Sequence, residues 1–447
     1  MDDVTNRSTE TNSASVPCGA TQAEEVRARW AWTEPTVWTA RMLTTLEQGV
    51  KGGCWFSLID KVYADDNLLR SFTKVAANGG AAGVDHVSIE EFTARLTKNL
   101  ERLARHLRDD TYRPQAVRRV QIPKPGTREM RPLGIPTVRD RVSQGALRHV
   151  LEPIFERDFA EHSYGFRPCR GCKDSLRRVD RFLKQGYRYV VDADLKSYFD
   201  TIPHDQLLAR LATKISDGRV LKLIESFLKA GIFDGLQEWT PEAGAPQGAV
   251  LSPLLSNIYL DPLDHLVAAA GFEMVRYADD FVILCRTPEE AQQALALVQQ
   301  WTATAGLTLH PTKTRVVDAV TEGFEFLGYR FVKHRRFPRR KSLEKFRDTI
   351  RGKTPRTAGR SLQAMIVDVN RTLRGWFEYF QHSHYHVFCE LDGWIRMRLR
   401  SVLRRRNGHQ GRGRGLDHRR WPNAYFTEHG LFSLRTAHDL KCQSSTR

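Results

Sequence analysis

Two adjacent aspartates preceded by Tyr-Ala occur twice in this chain, at Tyr63-Ala64-Asp65-Asp66 and at Tyr277-Ala278-Asp279-Asp280. Carboxylate oxygens are the donors that hard divalent cations take. Side by side, two of them repel by roughly 4 kcal/mol at ~4 Å in an effective dielectric near 20, so a pair kept without a neighbouring cation asks for a bound one. The flanking residues separate the two copies. Asp65-Asp66-Asn67 lead into "LLRSFTKVAA", where Leu68, Leu69, Phe72 and Val75 fall at helical spacing. Acids in that position cap backbone N–H groups and favour the positive end of the helix dipole. Asp279-Asp280 instead separate "FEMV" from "FVIL", two apolar β-compatible runs. That pattern predicts a buried hairpin with both carboxylates at its tip.

Nucleotidyl transfer on two metal ions needs carboxylates from at least two segments, because the ions sit about 3.5–4 Å apart. The second segment is "YRYVVDADLKSYFDTIP" at 187–203, which begins as a buried strand. Asp192 and Asp194 project to one side of it and Asp200 lies beyond; spacing alone does not choose among them.

The elements around these residues are legible. Residues 23–75 have amphipathic helical stretches, and "NGGAAGVDHVS" is a Gly-rich loop. Ser88 with Glu91 forms a capping box that opens a helix. "RRVQIPKPGTREMRPLGIP" predicts strands broken by a Pro-Gly turn, and "DRVSQGALRHVLEPIFERDF" an amphipathic helix. "GAPQGAVLSPLLSNIYLDPLDHLVAAA" is a Gly/Pro loop opening a long helix, "PEEAQQALALVQQWTATAG" a helix, and "FEFLGYRF" a short strand. From about 336 the pattern is helical and basic.

Charge is distributed unevenly. The chain of 447 residues carries 69 Lys+Arg against 52 Asp+Glu, but residues 331–447 hold 27 of the former and 9 of the latter. The whole positive excess therefore lies in the last quarter, interleaved with Trp376, Tyr379, Phe380, Tyr385, Trp394 and Trp421. Such a surface suits a phosphate backbone and stacked bases. No run of about 18 apolar residues is present, so no transmembrane segment is expected; of the polyanions that suit the charge, nucleic acid ranks ahead of an anionic membrane, and no membrane partner is expected. The seven cysteines form no disulfide framework, which points to a reducing compartment. Cys169-Arg-Gly-Cys172 lacks a second pair at zinc spacing, and His382, His384 and His386 only alternate; neither is read as a metal site. The polar stretch 1–22 reads as a disordered tail.

In order along the chain, "DADLKSYFD", "GAPQGAVLSPLLSNIYL", "RYADDFVIL", "GLTLHPTKT" and "FEFLGYRF" resemble the palm motifs of reverse transcriptases. "QIPKPGTREMRPLGIPTVRDRVSQ" and "SYGFRP" resemble the fingers blocks. "LRGWFEYF" and "RRWPNAYFTEHGLFSL" resemble the maturase-specific region of bacterial group II intron-encoded proteins. The resemblance covers about residues 30–440. It implies a right-hand polymerase fold of the α/β (α+β) class: a helical N-terminal extension at 23–77, fingers and an antiparallel-sheet palm at 78–335, a helical thumb or maturase region at 336–400, and a basic C-terminal RNA/DNA-binding segment at 401–447.

The resemblance also assigns residues. Counting back from Tyr198-Phe199, the first catalytic aspartate falls on Asp194, joined by Asp279 and Asp280. These three, with the backbone of Leu195, would hold two Mg²⁺ ions. Phe199 would exclude a ribose 2′-OH, Gln247 line the nucleotide pocket, Lys124 and Arg131 hold the triphosphate, and Lys313 protonate pyrophosphate. Arg404, Arg405, Arg406, Arg412, Arg414, Arg419 and Arg420 are the expected RNA contacts. The function implied is RNA-directed DNA synthesis from dNTPs on an RNA template with a DNA primer. Binding of a group II intron RNA, help with its splicing and insertion into target DNA follow, in the cytoplasm of a bacterium, as monomer or dimer. The chain ends shortly after "FSL" without the His-Asn-His nuclease that many relatives carry, so no endonuclease is expected. The alternatives are a reverse transcriptase of another bacterial lineage, which "WPNAYFTEHGLFSL" disfavours, a splicing factor with a dead polymerase, which the three acids disfavour, and an RNA-dependent RNA polymerase, which Phe199 disfavours.

Overall fold

The structure, a computed structural model, describes residues 25–444 except 51, 124–129, 236 and 358. The expected tail at 1–22 and Lys124 lie outside the described residues.

The strands form three sheets. β1 (Val117–Pro123), β2 (Met130–Ile135), β4 (Ile232–Asp234) and β5 (Gln237–Trp239) are ordered β2-β1-β4-β5, with β1 and β4 parallel and the other pairs antiparallel. β3 (Tyr189–Asp194), β6 (Glu273–Tyr277), β7 (Asp280–Cys285) and β8 (Arg315–Asp318) form an all-antiparallel sheet in the order β6-β7-β3-β8. This is the expected palm. β3 and β7 are central, and Val190, Val191, Val282 and Ile283 are fully buried. A strand covered on both faces reads as a continuous apolar run rather than an alternating one, as "VV" and "FVIL" do. The third sheet is a meander of β9 (Phe324–Phe326), β10 (Tyr329–Val332) and β11 (Arg335–Pro338). "FEFLGYRF" is therefore a hairpin and not one strand. Leu327 and Gly328 both take positive φ, 46° and 80°, the signature of a type I′ turn.

The helices that position the site are α1 (Asp65–Asn78), α2 (Val138–Glu156), α3 (Cys172–Lys184), α4 (Ser252–Ala269) and α5 (Pro288–Thr304). α1 begins as predicted, with Asp65 and Asp66 in its first turn; neither makes a side-chain cap, and Leu69 faces solvent. The capping box of Ser88 and Glu91 is formed. α2 departs from expectation: it is not amphipathic but buried nearly all round. Its polar side chains fasten neighbouring segments, as where Asp140 accepts from the Tyr112 hydroxyl at 2.6 Å. α2, α4, α5, the palm strands and Trp30, Trp38, Leu43 and Leu46 of the N-terminal extension share one apolar core.

The basic region is a helical bundle of α6 (Arg340–Lys353), α7 (Leu362–Phe380), α8 (Tyr385–Arg406) and α9 (Leu434–Ser444). Its core runs from Phe346 through Ile366, Phe388 and Leu399 to Trp421, Phe426 and Leu434. The expected division at 400/401 falls inside α8, and residues on both sides of it enter that one core. Among the described residues no helix is long and apolar enough to cross a membrane.

Candidate active site

The β6–β7 hairpin closes through two residues, Ala278 and Asp279, since Tyr277 pairs with Asp280. Ala278 has φ +60°, in the first turn position where a type II′ turn prefers glycine. On the neighbouring strand Asp194 stands directly opposite Asp280, which puts their Cα atoms about 5 Å apart. Asp192 lies two residues back along the same face of β3. The end of β3 is fixed by the "GLTLHPTKT" loop: the His310 N–H donates to the Asp194 carbonyl at 2.7 Å, and the Lys196 N–H to Thr308 at 2.8 Å. Those bonds leave the Leu195 carbonyl directed to the other edge, on the hairpin side. The same loop brings Lys313 onto Asp194, Nζ to Oδ2 at 2.5 Å.

The acids crowd one another. The Asp280 carboxyl is pushed up to about 7 by burial first, then by Asp192, Asp279 and Asp194. Burial raises Asp192 to about 6 against the pull of Arg315. Asp279 is raised by burial and by Asp194, while Arg131 and Arg276 pull the other way. Among the described residues no three His, Cys, Asp or Glu side chains form a ready-made metal cage; the Asp194 carboxylate is turned to Lys313. The donor set still fits hard divalent cations: several carboxylates share one end of a sheet, and burial and mutual repulsion disfavour their charged form, which a bound cation reverses.

Of the residues expected to bind nucleotide, Phe199 and Gln247 line one cavity. Phe199 is half-buried, packs edge-on against Tyr198 with ring centroids 5.5 Å apart, and borders a cavity of about 630 Å³ with Gln247, Asp200, Arg119 and Trp239. The Gly-Ala-Pro-Gln-Gly loop docks on both sides of it. The Ala245 N–H donates to the Phe199 carbonyl at 2.7 Å, and the Gly134 N–H of β2 to the Gln247 carbonyl at 2.6 Å. Gly244, at φ +95°, lets this approach happen: a Cβ there would sit 2.8 Å from the Phe199 carbonyl oxygen. Arg131 is exposed on β2, and its charge reaches both Asp279 and Asp200.

The seven arginines do not share one situation. Arg405, Arg406, Arg412, Arg414, Arg419 and Arg420 are exposed. Arg404 is half-buried and holds Asp417 at 2.5 Å and the Gln410 carbonyl at 2.9 Å. Arg406 donates to the Arg360 carbonyl, and Arg420 reaches Asn407 at 3.2 Å.

A network beneath the hairpin escaped the reading of the sequence. Arg276, fully buried, donates to both carboxylate oxygens of buried Asp264, Nε at 2.7 Å and Nη2 at 2.5 Å. Its Nη1 donates to Asn257 at 3.0 Å and to the Ala278 carbonyl at 2.9 Å. Removing one partner of such a pair costs on the order of 3–5 kcal/mol, because the other stays charged and unpaired. The signal was present: an arginine just before the acidic turn, and Asn257 and Asp264 seven residues apart on one face of a largely apolar helix.

Comparison with known proteins places these features. Residues 122–331 match the family described as reverse transcriptase (RNA-dependent DNA polymerase), and residues 343–421 match the group II intron maturase-specific domain. Protein YkfC of Escherichia coli (strain K12) is 33% identical over 69% of this chain and 87% of its own length. The group II intron-encoded protein LtrA of Lactococcus lactis subsp. cremoris is 44% identical over 43% of this chain, a stretch that spans 31% of that relative. A chain of the partial Cas6-RT-Cas1–Cas2 complex aligns with 26% identity and a TM-score of 0.36 over 56% of this chain and 41% of that one.

Proposed function

The chain belongs to the group II intron-encoded reverse transcriptase/maturase family, and from that premise we propose that it copies RNA into DNA, binds a group II intron RNA, assists its splicing and supports its insertion into target DNA. The observation that carries the polymerase half is the register that sets Asp194 opposite Asp280, with Asp279 at the adjoining turn. Asp194, Asp279, Asp280 and the Leu195 carbonyl are the proposed holders of two Mg²⁺ ions. When bound, the ions supply Lewis acidity and charge neutralisation for attack of a primer 3′-OH on the α-phosphate of a dNTP.

The chain's own residues do the rest. Phe199, whose ring borders the cavity shared with Gln247, is the proposed steric screen against a ribose 2′-OH. Gln247 orients the nucleotide from the docked loop, and Arg131 offers a planar fork to the triphosphate, with Lys124 in the same proposed role. Lys313, whose Nζ lies 2.5 Å from Asp194 Oδ2, is the proposed proton donor to the leaving pyrophosphate. Exposed arginines of the C-terminal region, together with its aromatic residues, are the proposed contacts to intron RNA. The reaction is proposed for the bacterial cytoplasm, and a DNA-cleaving centre forms no part of the proposal.

Primer extension tests the reading. The purified chain, given an RNA template, a DNA primer, Mg²⁺ and dNTPs, extends the primer, and Asp279→Asn abolishes extension. A variant that extends at even a tenth of the wild-type rate overturns the assignment of these acids. A wild-type chain that extends nothing while still stimulating intron splicing would leave a splicing factor alone.

A further inference from the structure

The hairpin that carries Asp279 and Asp280 is held from two sides by buried groups. On one side is the Arg276 guanidinium, whose three nitrogens bind Asp264, Asn257 and the Ala278 carbonyl. On the other is the segment 162–165, which lies along β6 as an extra strand. The Arg276 N–H donates to the His162 carbonyl and the Tyr164 N–H to the Arg276 carbonyl, both at 2.9 Å, and Ser163 pairs with Arg276 in parallel. Gly165 ends this segment against the turn. A Cβ on it would fall 2.2 Å from the Ala278 nitrogen and 2.8 Å from the Tyr277 carbonyl carbon, so only glycine lets the two backbones meet. Asn257 ties the two sides together: its Oδ1 accepts from Arg276 and its Nδ2 donates to the Gly165 carbonyl at 2.8 Å.

Between these groups sits an alanine in a conformation that L-residues avoid, φ +60°. The two-residue hairpin turn calls for positive φ at this position, where glycine is the usual residue, and alanine has no side-chain atom with which to stabilise it. Such a residue persists where its surroundings over-determine it. An arginine could bind Asp264 from many positions, but this one also spends a donor on the carbonyl of the strained residue.

We infer that Arg276, Asp264, Asn257 and Gly165 form a clamp that sets the backbone of the Ala278 turn and thereby aims the Asp279 and Asp280 carboxylates; they are positioning residues, not catalytic ones. The inference rests on the polymerase reading of that hairpin. It predicts that loosening the clamp lowers the rate of the chemical step and leaves nucleotide and RNA binding nearly untouched, because the Phe199–Gln247 wall and the basic region stand on other segments.

The test compares wild type, Arg276→Lys, Gly165→Ala and each combined with Ala278→Gly. Lysine keeps the charge opposite Asp264 but has no planar fork to reach Asn257 and Ala278 as well. Gly165→Ala leaves the ion pair intact and pushes the turn from the other side. Both single variants should lose at least tenfold in kcat for dNTP addition, with KM for dNTP and affinity for RNA changed less than about twofold. Hydrogen exchange in a peptide spanning 273–285 should speed up relative to peptides of α7 and α8. Ala278→Gly, which adopts positive φ freely, should recover part of the kcat in the Arg276→Lys background.

Folded variants that keep more than half of wild-type kcat sink the clamp while leaving the polymerase reading intact. A wild-type protein that extends no primer sinks the polymerase reading instead. If Arg276→Lys does not fold, Gly165→Ala decides alone. If neither folds, the network belongs to the general core and the inference fails.

Discussion

Phe199 presents the plainest trade between two physical roles at a single residue. Its ring packs on Tyr198 and the core, yet stays half-exposed to the cavity shared with Gln247. If it screens the sugar, Phe199→Val opens space for a 2′-OH and raises the preference for NTP over dNTP at least tenfold in kcat/KM, about 1.4 kcal/mol of discrimination, measured by single-nucleotide addition. Unchanged discrimination with a lower melting temperature would make it a core residue only. The hairpin tip at Asp279 and Asp280 was legible because two carboxylates between apolar β runs have few uses, and the structure forms that hairpin with Asp194 opposite Asp280; the preference for Asp194 over Asp192 came from the resemblance alone. Arg276 was not readable in that way. One cation before a strand looks like a solvated strand end, and only packing shows that it is fully buried with all its donors directed inwards.

At the level of elements, α2 shows why pattern reading fails for a central helix. Asp140, Arg141, Gln144 and His149 belong to a stretch expected to be amphipathic, yet all four are buried, and each binds another segment. Periodicity reports which side chains avoid water; it does not distinguish a solvated polar face from one whose partners arrive from elsewhere in the chain. The hairpin at 324–332 was hidden for a different reason: its turn opens with Leu327, where Asn or Asp would have announced it.

His149 links α2 to α1. Its Nδ1 contacts the Asn67 side-chain oxygen at 2.8 Å and its Nε2 lies 2.9 Å from the Lys74 ammonium. The ammonium can only donate, so the ring is neutral, accepting at Nε2 and donating from Nδ1. Burial first, then Lys74 and Arg148, hold its pKa down at about 3. An unfolded histidine titrates near 6.5, so between that pH and about 3 the unfolded chain binds a proton that the native chain does not. Stability contributed here is complete above about 6.5 and falls as pH drops, by up to roughly 1.4 kcal/mol per pH unit. Urea midpoints of His149→Gln, followed from pH 7 to 4, should decline less steeply than those of the wild type. Parallel curves would mean that other groups govern acid unfolding.

Across the whole molecule, the charge map and the core map cut the chain differently. The excess positive charge begins near residue 331, close to where the helical bundle begins, so composition located that region. Charge did not reveal that the bundle's core reaches from Phe346 to Leu434, nor that Trp30 and Trp38 share a core with the palm strands, because burial is decided between distant segments.

The same distinction sorts the arginines. Arg405, Arg412 and Arg419 are exposed, whereas Arg404 is committed to Asp417 and Gln410. Exposed cations that meet phosphates release counterions, and each contributes about 0.7 to the slope of log affinity against log salt for single-stranded RNA. Changing Arg405, Arg412 and Arg419 together to glutamine should therefore weaken intron RNA binding most at low salt and flatten that slope by about 2, with little change in melting temperature. Arg404→Gln should do the reverse. Loss of its hold on Asp417 frees the 410–417 segment and lowers the melting temperature by several degrees, while the salt slope moves by less than one unit. A triple variant whose slope equals that of the wild type would place the RNA on another face of the bundle, and an Arg404→Gln protein as stable as the wild type would show that the Asp417 contact contributes nothing to holding that segment.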